Sequence, residues 1–329
     1  MLATTIALVT IGAGATGAAA KTEPSAWEDK SPIAVTADER DPGGRGAVGP
    51  DFKGDGSDSE SSTSDTGGTG PGGKGTRGDE PGGGLTVISA SVSPGKTYMY
   101  GKRDATFRYA IDAAGARAVK VELVKRKNDR LIRTWHRRSV EPGVEDAVRW
   151  NGKRDGHGYP GKGEYVFRVF SEKDVRARMG EDADDRRVLF YKYKFPIRGK
   201  HTYGDGIGAP RGDHTHQGQD LAAACGTRLV AARGGRVQWK AYQAGGAGYY
   251  LVIDGKDTGK DYVYMHLDGP ATVTQGERVP TGGRIGRVGT SGGSSGCHLH
   301  FEIWSGPGWY EGGAFTNPLD DLRKWDTWS

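Results

Sequence analysis

Short runs of alternating apolar and polar residues constrain the fold of this chain more than any other feature. They start at Leu85, they have the length of β-strands, and turn residues separate them at regular intervals. Examples are LTVISASVSP, ATFRYAID, AVKVELVKR, RLIRTWHRRSV and EYVFRVF. Alternation with a period of two is typical of strands that bury one face. Together with 56 glycines, which favour turns over helical bundles, it predicts a mainly β protein that begins with an all-β sandwich.

The residues before Leu85 lack this alternation. Residues 1–20 contain a short apolar run and end in Ala18-Ala19-Ala20, an A-x-A cleavage pattern, which predicts a secretory signal peptide. No lysine or arginine precedes the run, and an uncleaved membrane anchor stays an alternative, although the run is short for a bilayer span. Residues 21–84 are rich in Gly, Ser, Asp, Pro and Thr and have almost no aliphatic clusters, so we predict a disordered linker.

Net charge differs between the linker and the rest of the chain. Residues 21–84 hold 7 basic and 13 acidic residues and no charged side chain precedes them, so the total of +5 leaves +11 on residues 85–329. A basic folded part indicates an anionic polymer as partner, either nucleic acid or a bacterial cell wall. Because the chain has no recognition helix, zinc-finger spacing or aromatic RNA-binding signature, we expect no nucleic-acid partner.

A glycine-rich motif follows the first strands. Trp150-Asn151-Gly152 and then G-x-P-x-x-G-x-Y, from Gly158 to Tyr165, precede the predicted strand Val166–Phe170. This run resembles the Ig-like domain of FlgD-type hook-capping proteins and of many bacterial surface proteins. The resemblance implies an Ig-like β-sandwich over residues 85–197 that has a structural or substrate-positioning role.

Imidazoles and carboxylates recur at even spacing in the last third of the chain. In RGDHTHQGQD, His216 and Asp220 are four residues apart, which places both on one face of an extended strand. Gly218 between them lets a second backbone or a ligand approach closely. In HLHFE, His298 and His300 are two apart and also share a face, together with Glu302.

A third motif, DYVYMHL, alternates strictly. It places Tyr262, Tyr264 and His266 on one face of a strand, while the apolar residues between them take the other face and pack. Two phenols and an imidazole on one face are unusual for a purely structural strand. We therefore interpret this face as part of the functional site.

The three motifs occur in the order H-x-x-x-D, Y-x-H-L and H-x-H-F-E, separated by strand and glycine patterns. This order and spacing resembles the LytM/lysostaphin-type zinc metallopeptidases of bacterial cell walls, over about residues 199–318. The resemblance implies an antiparallel β catalytic domain with an open groove, which we place at residues 198–329. The H-E-x-x-H helix of the other large class of zinc peptidases is absent from the sequence.

Carried over position by position, the resemblance implies that His216, Asp220 and His300 bind one Zn²⁺ per chain. His266 and His298 take the positions of the two catalytic histidines that do not bind the metal. Three protein ligands leave a fourth position for water, whose pKa zinc lowers to about 7. The two catalytic imidazoles would accept and return protons.

The sequence leaves alternative roles open for three residues near these ligands. His214 precedes His216 by two residues, but the H-x-G-x-D spacing favours His216 as the ligand and leaves His214 to line the groove. Tyr264 either donates a hydrogen bond to substrate or supports His266. Glu302 either orients a ligand imidazole or is a solvated strand carboxylate.

The only two cysteines, Cys225 and Cys297, both lie next to predicted ligands. Because an exported chain enters an oxidising compartment, we predict that they form a disulfide. A zinc-binding thiol and two free buried thiols are the alternatives. Two cysteines without a CxxC pair exclude a cysteine-rich structural zinc site.

We expect a secreted, extracytoplasmic zinc metalloendopeptidase that hydrolyses peptide bonds in peptidoglycan cross-bridges or stems. Its partner would be peptidoglycan, it would be a monomer, and it would have no stable membrane association after signal cleavage. A non-catalytic zinc-containing protein that binds or regulates the cell wall is the alternative. A second alternative is a structural surface protein in which zinc only stabilises the fold.

Overall fold

The computed structural model describes residues 85–172, 184–212 and 214–329, which belong to one compact unit of the chain. The predicted signal peptide and linker lie outside the described residues. The described part is mainly β with predominantly antiparallel sheets, which confirms the predicted fold class. No helix within these three ranges is long and apolar enough to cross a membrane.

Residues 86–191 form two sheets. Their elements are β1 (Thr86–Ser93), β2 (Lys96–Tyr98), β3 (Ala105–Asp112), β4 (Arg117–Lys125), β5 (Arg130–Val140), β6 (Asp146–Trp150), β7 (Gly163–Ser171), a 3-10 turn at Asp184–Arg186, and β8 (Arg187–Tyr191). One sheet has the order β1-β3-β6 and the other the order β2-β8-β7-β4-β5, in which only the β2–β8 pair is parallel. We call residues 85–191 the sandwich part. Its assignment as an Ig-like domain stays a prediction.

The two sheets of the sandwich part share one apolar core. Phe107 on β3 stacks on Phe167 on β7 with ring centroids 4.7 Å apart, and both side chains are fully buried. Trp150 on β6 packs against Phe190 on β8 in the same core. Strand alternation explains this, because each sheet turns every second side chain toward the other sheet.

The second part, which we define as residues 192–329, is built on one large antiparallel sheet. Its elements are β9 (His201–Tyr203), β10 (Pro210–Arg211), β11 (His214–Thr215), β12 (Gln219–Ala223), β13 (Arg228–Val230), β14 (Gly235–Gln243), β15 (Gly248–Gly255), β16 (Lys260–Leu267), β17 (Arg278–Val279), β18 (Arg284–Arg287), β19 (His298–Ser305), β20 (Phe315–Thr316) and α1 (Leu319–Asp326). The large sheet has the order β17-β14-β15-β16-β19-β12-β9, with β20 also paired to β19. The pairs β10–β11 and β13–β18 form two small sheets.

Both faces of the large sheet are covered. On one face, which we call the packing face, Tyr262, Tyr264 and Phe301 join a core that includes Trp325 of α1. The other face, which we call the site face, carries a smaller core that includes Met265. The prediction that the phenols of Tyr262 and Tyr264 lie on a functional face is therefore wrong, because both rings are buried in the packing core.

The predicted boundary at residues 197/198 falls in the connection between β8 and β9. Phe195 and Ile197 on this connection already pack into the core of the second part. Hydrogen bonds also cross between the two parts. Thr281 Oγ1 donates to the Met99 carbonyl over 2.6 Å, and Arg233, 2 % exposed, donates through Nη1 to Met99 Sδ over 3.2 Å.

Candidate metal centre

Three predicted ligands meet at one point on the site face. Asp220 on β12 is the direct cross-strand partner of His300 on β19, and His216 lies just before β12. His216 Nε2 lies 2.8 Å from His300 Nδ1, and Asp220 Oδ1 lies 2.9 Å from the first nitrogen and 3.0 Å from the second. Among the described residues, these three side chains form the only group of histidine, cysteine and carboxylate residues close enough to hold a metal ion.

The other nitrogen of each ligand imidazole has its own partner. His216 Nδ1 lies 2.8 Å from the Gly206 carbonyl, an acceptor that requires the proton on Nδ1. His300 Nε2 lies 2.8 Å from Glu302 Oε1, which places the second proton on Nε2. In the neutral rings, His216 Nε2 and His300 Nδ1 therefore both present lone pairs. Two imidazole lone pairs and one carboxylate oxygen within 3.0 Å need a cation between them.

The protonation behaviour of the metal-free residues leads to the same conclusion. Burial alone would raise the pKa of Asp220, but hydrogen bonds from His216 and His300 hold it well below its usual range, so the carboxylate is ionised. Burial alone would lower the pKa of His300, but hydrogen bonds with Asp220 and Glu302 outweigh burial and raise it to about 9. A proton is thus held where a metal ion would compete for it. The residues fit zinc, since two imidazoles and one carboxylate are a usual catalytic zinc set.

His298 lies beside this cluster at the solvent side. Its Nδ1 lies 2.8 Å from the Gly296 carbonyl, so Nε2 is the free acceptor, and Nε2 is 3.6 Å from Asp220 Oδ1. The His298 side chain is 19 % exposed. Solvent therefore reaches the site from the side of His298.

His266 completes the group of imidazoles. Its ring centroid lies 4.7 Å from that of His298 and 6.1 Å from that of His300. Its Nδ1 bonds the Ser291 carbonyl over 2.8 Å, which again leaves Nε2 as the acceptor. Burial lowers the pKa of His266 to about 4, with the neighbouring charges of His298 and His300 acting in the same direction, so the ring is neutral at pH 7.

The backbone at His266 explains how this ring reaches the site. Strict alternation would place His266 on the packing face with Tyr264. Instead, His266 has φ = +61°, and Leu267 after it returns to the packing core. The His266 N–H leaves the sheet pattern and donates to the Ala247 carbonyl over 2.9 Å. A positive φ is rare outside glycine, and here it turns a histidine toward the site.

Gly218 has the role that its position predicts. A Cβ added there would lie 2.6 Å from the Phe301 carbonyl oxygen and 2.8 Å from His300 Nε2. Such distances are below those of real contacts, so only glycine lets this segment pass over β19. The close passage brings His216 Nε2 and Asp220 Oδ1 to the same nitrogen of His300, Nδ1.

The structure does not place Tyr264 at a groove. Its side chain is fully buried, and its hydroxyl accepts a hydrogen bond from the Ala232 N–H over 2.8 Å. Burial raises the pKa of this phenol. His214 lies exposed on β11, outside the three-residue cluster, and its role in lining a groove stays a prediction.

The structure decides between the alternatives for Glu302 and for the two cysteines. Glu302 is 3 % exposed and holds His300 on one oxygen while Trp304 Nε1 donates to the other over 2.6 Å, so it is a buried partner and not a solvated carboxylate. Cys225 and Cys297 form a disulfide with Cα atoms 5.2 Å apart, directly before His298.

Arg211 was not among the predicted site residues. Its Nη2 donates to Asp220 Oδ2 over 2.8 Å, and its Nη1 donates to Asp205 Oδ2 over 2.9 Å. Nothing in RGDHTHQGQD by itself shows that the arginine folds back onto the aspartate nine residues later.

Comparisons with known proteins agree with the site. The model of peptidase family M23 matches residues 214–317, which include His216, Asp220, His266, His298 and His300. An uncharacterized metalloprotease of Haemophilus influenzae is 40 % identical over 106 residues, which are 32 % of this chain and 20 % of the relative. The chain thus spans a fifth of the length of this curated relative.

Solved structures of similar proteins include the catalytic domain of lysostaphin from Staphylococcus simulans, 27 % identical. It covers 37 % of this chain and 92 % of that one, with a TM-score of 0.35. The catalytic domain of the prophage-encoded M23 protein EnpA from Enterococcus faecalis is 28 % identical. It covers 38 % of this chain and 95 % of that one, with a TM-score of 0.33.

Proposed function

We propose that this protein is a zinc metalloendopeptidase that hydrolyses peptide bonds in peptidoglycan cross-bridges or stems. The observation that carries the proposal is the meeting of three metal-binding atoms, from His216, Asp220 and His300, within 3.0 Å of one another. Two further imidazoles with free Nε2 atoms stand beside them. A metal site that only stabilised a fold would be closed by a fourth protein ligand, whereas this one has three and opens toward His298.

Zinc held by the three ligands would lower the pKa of a bound water to about 7 and polarise the carbonyl oxygen of the substrate. The chain's own residues supply the proton transfers. His298 Nε2, fixed by the bond from Nδ1 to Gly296, accepts the proton of the attacking water and returns it to the leaving amine. His266 is neutral at pH 7 and can also accept and return a proton. Once protonated, either ring stabilises the negative charge that develops on the reacting carbonyl.

The proposed substrate rests on charge and on the motifs. Residues 85–329 carry a net charge of +11, which favours an anionic meshwork over a neutral peptide. The H-x-x-x-D, Y-x-H-L and H-x-H-F-E order resembles enzymes that cut wall peptides. Secretion to the cell wall or periplasm belongs to the same proposal and is supported by the signal-like pattern of residues 1–20.

The test is mass spectrometry of fragments released from defined muropeptides with direct cross-links, glycine bridges or uncrosslinked stems. We expect cleavage of a peptide bond in at least one class, loss of cleavage with a zinc chelator, and recovery on adding zinc. His298→Ala should abolish cleavage while zinc content and far-ultraviolet circular dichroism stay unchanged, since His298 is not a ligand. His157→Ala, an exposed histidine in the sandwich part, is the matched control and should cleave normally.

Two outcomes would contradict the proposed function. Unchanged cleavage by His298→Ala would refute the proposed mechanism. A wild-type protein that binds zinc but releases no fragment from any muropeptide would refute the enzymatic function and favour the non-catalytic wall-binding alternative.

A further inference from the structure

The two carboxylate oxygens of Asp220 have different partners. Oδ1 faces the metal position, between His216 Nε2 and His300 Nδ1. Oδ2 accepts a 2.8 Å hydrogen bond from Arg211 Nη2. The second branch of the same guanidinium bonds Asp205 Oδ2 over 2.9 Å, so Arg211 spans two carboxylates.

The backbone around Arg211 is built onto the ligand segment. Arg211 on β10 pairs with His214 on β11, and the turn before β10 brackets His216 on both sides. The His216 N–H donates to the Ala209 carbonyl over 2.9 Å, and the His216 carbonyl accepts from the Gly208 N–H over 2.9 Å. The backbone therefore holds the Cα of Arg211 beside the ligand segment, and the two carboxylates hold its guanidinium.

We propose that Arg211 is a positioning residue that occupies Asp220 Oδ2, so that Asp220 binds the metal through Oδ1 alone. With one oxygen committed, Asp220 takes a single coordination position and leaves another for water. The inference rests on the metal centre of the proposed function but requires no peptide cleavage.

Electrostatic repulsion between Arg211 and the metal ion would change zinc affinity in the opposite direction. A guanidinium charge near a metal site also repels the cation, so its removal would tighten zinc binding if repulsion dominated. Two observations favour the positioning effect. Asp205 compensates the charge of Arg211 through its second branch, and the Asp220 side chain is only 16 % exposed, so a released Oδ2 would lose a partner that water replaces poorly. Removing such a partner of a metal ligand typically weakens metal binding about 10–100-fold.

The experiment measures zinc affinity of the full chain by competition with a chromogenic chelator, without substrate. Arg211→Ala should bind zinc about 10–100-fold more weakly than wild type. Arg211→Lys keeps the charge but not the two-branched geometry, so its affinity should lie between the two. The control is Arg137→Ala, which removes a comparable arginine from Asp146 in the sandwich part, where Arg137 Nε and Nη2 lie 2.7 and 2.5 Å from the two oxygens. Its zinc affinity should equal that of wild type.

A spectrum of the Co²⁺-substituted protein separates positioning from general stability. If Asp220 is freed to bind through both oxygens, the coordination number rises and the visible absorption of Co²⁺ weakens in Arg211→Ala. A purely structural role would lower the melting temperature and leave the spectrum unchanged. If Arg211→Ala does not fold, the zinc affinity and the Co²⁺ spectrum of Arg211→Lys test the proposal instead.

Equal zinc affinity and an equal Co²⁺ spectrum in the folded variant would overturn the proposal, and so would tighter zinc binding. Zinc binding without cleavage of any muropeptide would refute the proposed function but leave this inference standing. A wild-type chain that binds no zinc would refute both.

Discussion

The two parts of the described chain bury different kinds of side chain. Among its described residues, the sandwich part has two buried polar residues, Thr97 and Ser171, and neither is ionisable in the physiological range. The second part has eight among its described residues, and they include histidines, carboxylates and an arginine. These eight are His216, Gln219, Arg233, Asp261, His266, Thr281, His300 and Glu302.

Buried ionisable groups cost free energy unless each is hydrogen-bonded or paired. The second part meets this cost with specific partners, as Glu302 shows between His300 and Trp304. It also carries the disulfide. The sandwich part has no cysteine, and stacked rings such as Phe107 on Phe167 fill its core. The sandwich part is therefore stabilised mainly by apolar packing, whereas the second part buries ionisable side chains, several of which form the candidate metal centre.

The largest effect that can test this contrast is loss of a metal ligand. His216→Ala should lose stoichiometric zinc and reduce muropeptide cleavage by about 10³-fold or more, because the metal supplies several kcal/mol of transition-state stabilisation. Zinc content by mass spectrometry and fragment release measure both. The matched control is again His157→Ala. Retention of zinc and cleavage by His216→Ala would show that the cluster is not the metal site.

In the sandwich part, the largest effect should fall on stability alone. Phe167→Ala removes a fully buried ring and should lower the free energy of unfolding by about 3–5 kcal/mol, as measured by urea denaturation. Cleavage per folded molecule should stay unchanged at low temperature. A loss of cleavage without a loss of folded protein would contradict the division between the two parts.

The disulfide should stabilise the second part. Replacing both Cys225 and Cys297 by alanine opens a link across 72 residues and should cost about 2–5 kcal/mol of unfolding free energy. Dithiothreitol should reproduce the effect in wild type and have none in the double variant. Equal stability of the oxidised wild type and the double variant would contradict this expectation.

Burial of His266 predicts a pH-dependent loss of stability in the metal-free protein. Because its pKa falls to about 4 from an ordinary 6.5, the unfolded chain binds more protons between these values, and stability falls as pH falls through this window. Between pH 7 and pH 5, wild type should lose about 2 kcal/mol more than His266→Asn. Asparagine tolerates the positive φ at this position, which makes it the appropriate comparison. Parallel pH profiles for the two proteins would contradict the burial argument.

The strands could be predicted from the sequence for local reasons, whereas the ligand set was implied by the resemblance of the motif order to a known family. DYVYMHL lies within β16 and HLHFE begins β19, whereas the register that pairs Asp220 with His300 arises from the pairing of β12 with β19. A period of two shows which residues share a face for as long as the strand stays regular.

The features of the site that the sequence did not predict depend on contacts between residues far apart in the chain. His266 departs from its strand because its N–H bonds Ala247 on the hairpin between β14 and β15, a contact that alternation does not encode. Arg211 reaches Asp220 only after β10 and β11 have paired. The alternation also cannot show that both faces of a strand are covered, which is why Tyr264 was assigned to the wrong surroundings.

Tyr264 therefore gives the smallest and most discriminating test. Tyr264→Phe keeps the ring in the packing core but removes the oxygen that accepts the Ala232 N–H, which is then buried without a partner. The free energy of unfolding should fall by about 1–2 kcal/mol. Because the hydroxyl lies on the packing face, away from His298 and the metal position, kcat and KM for a cleaved muropeptide should not change. A fall in kcat with unchanged stability would instead place this phenol at the substrate and overturn the assignment of the two faces.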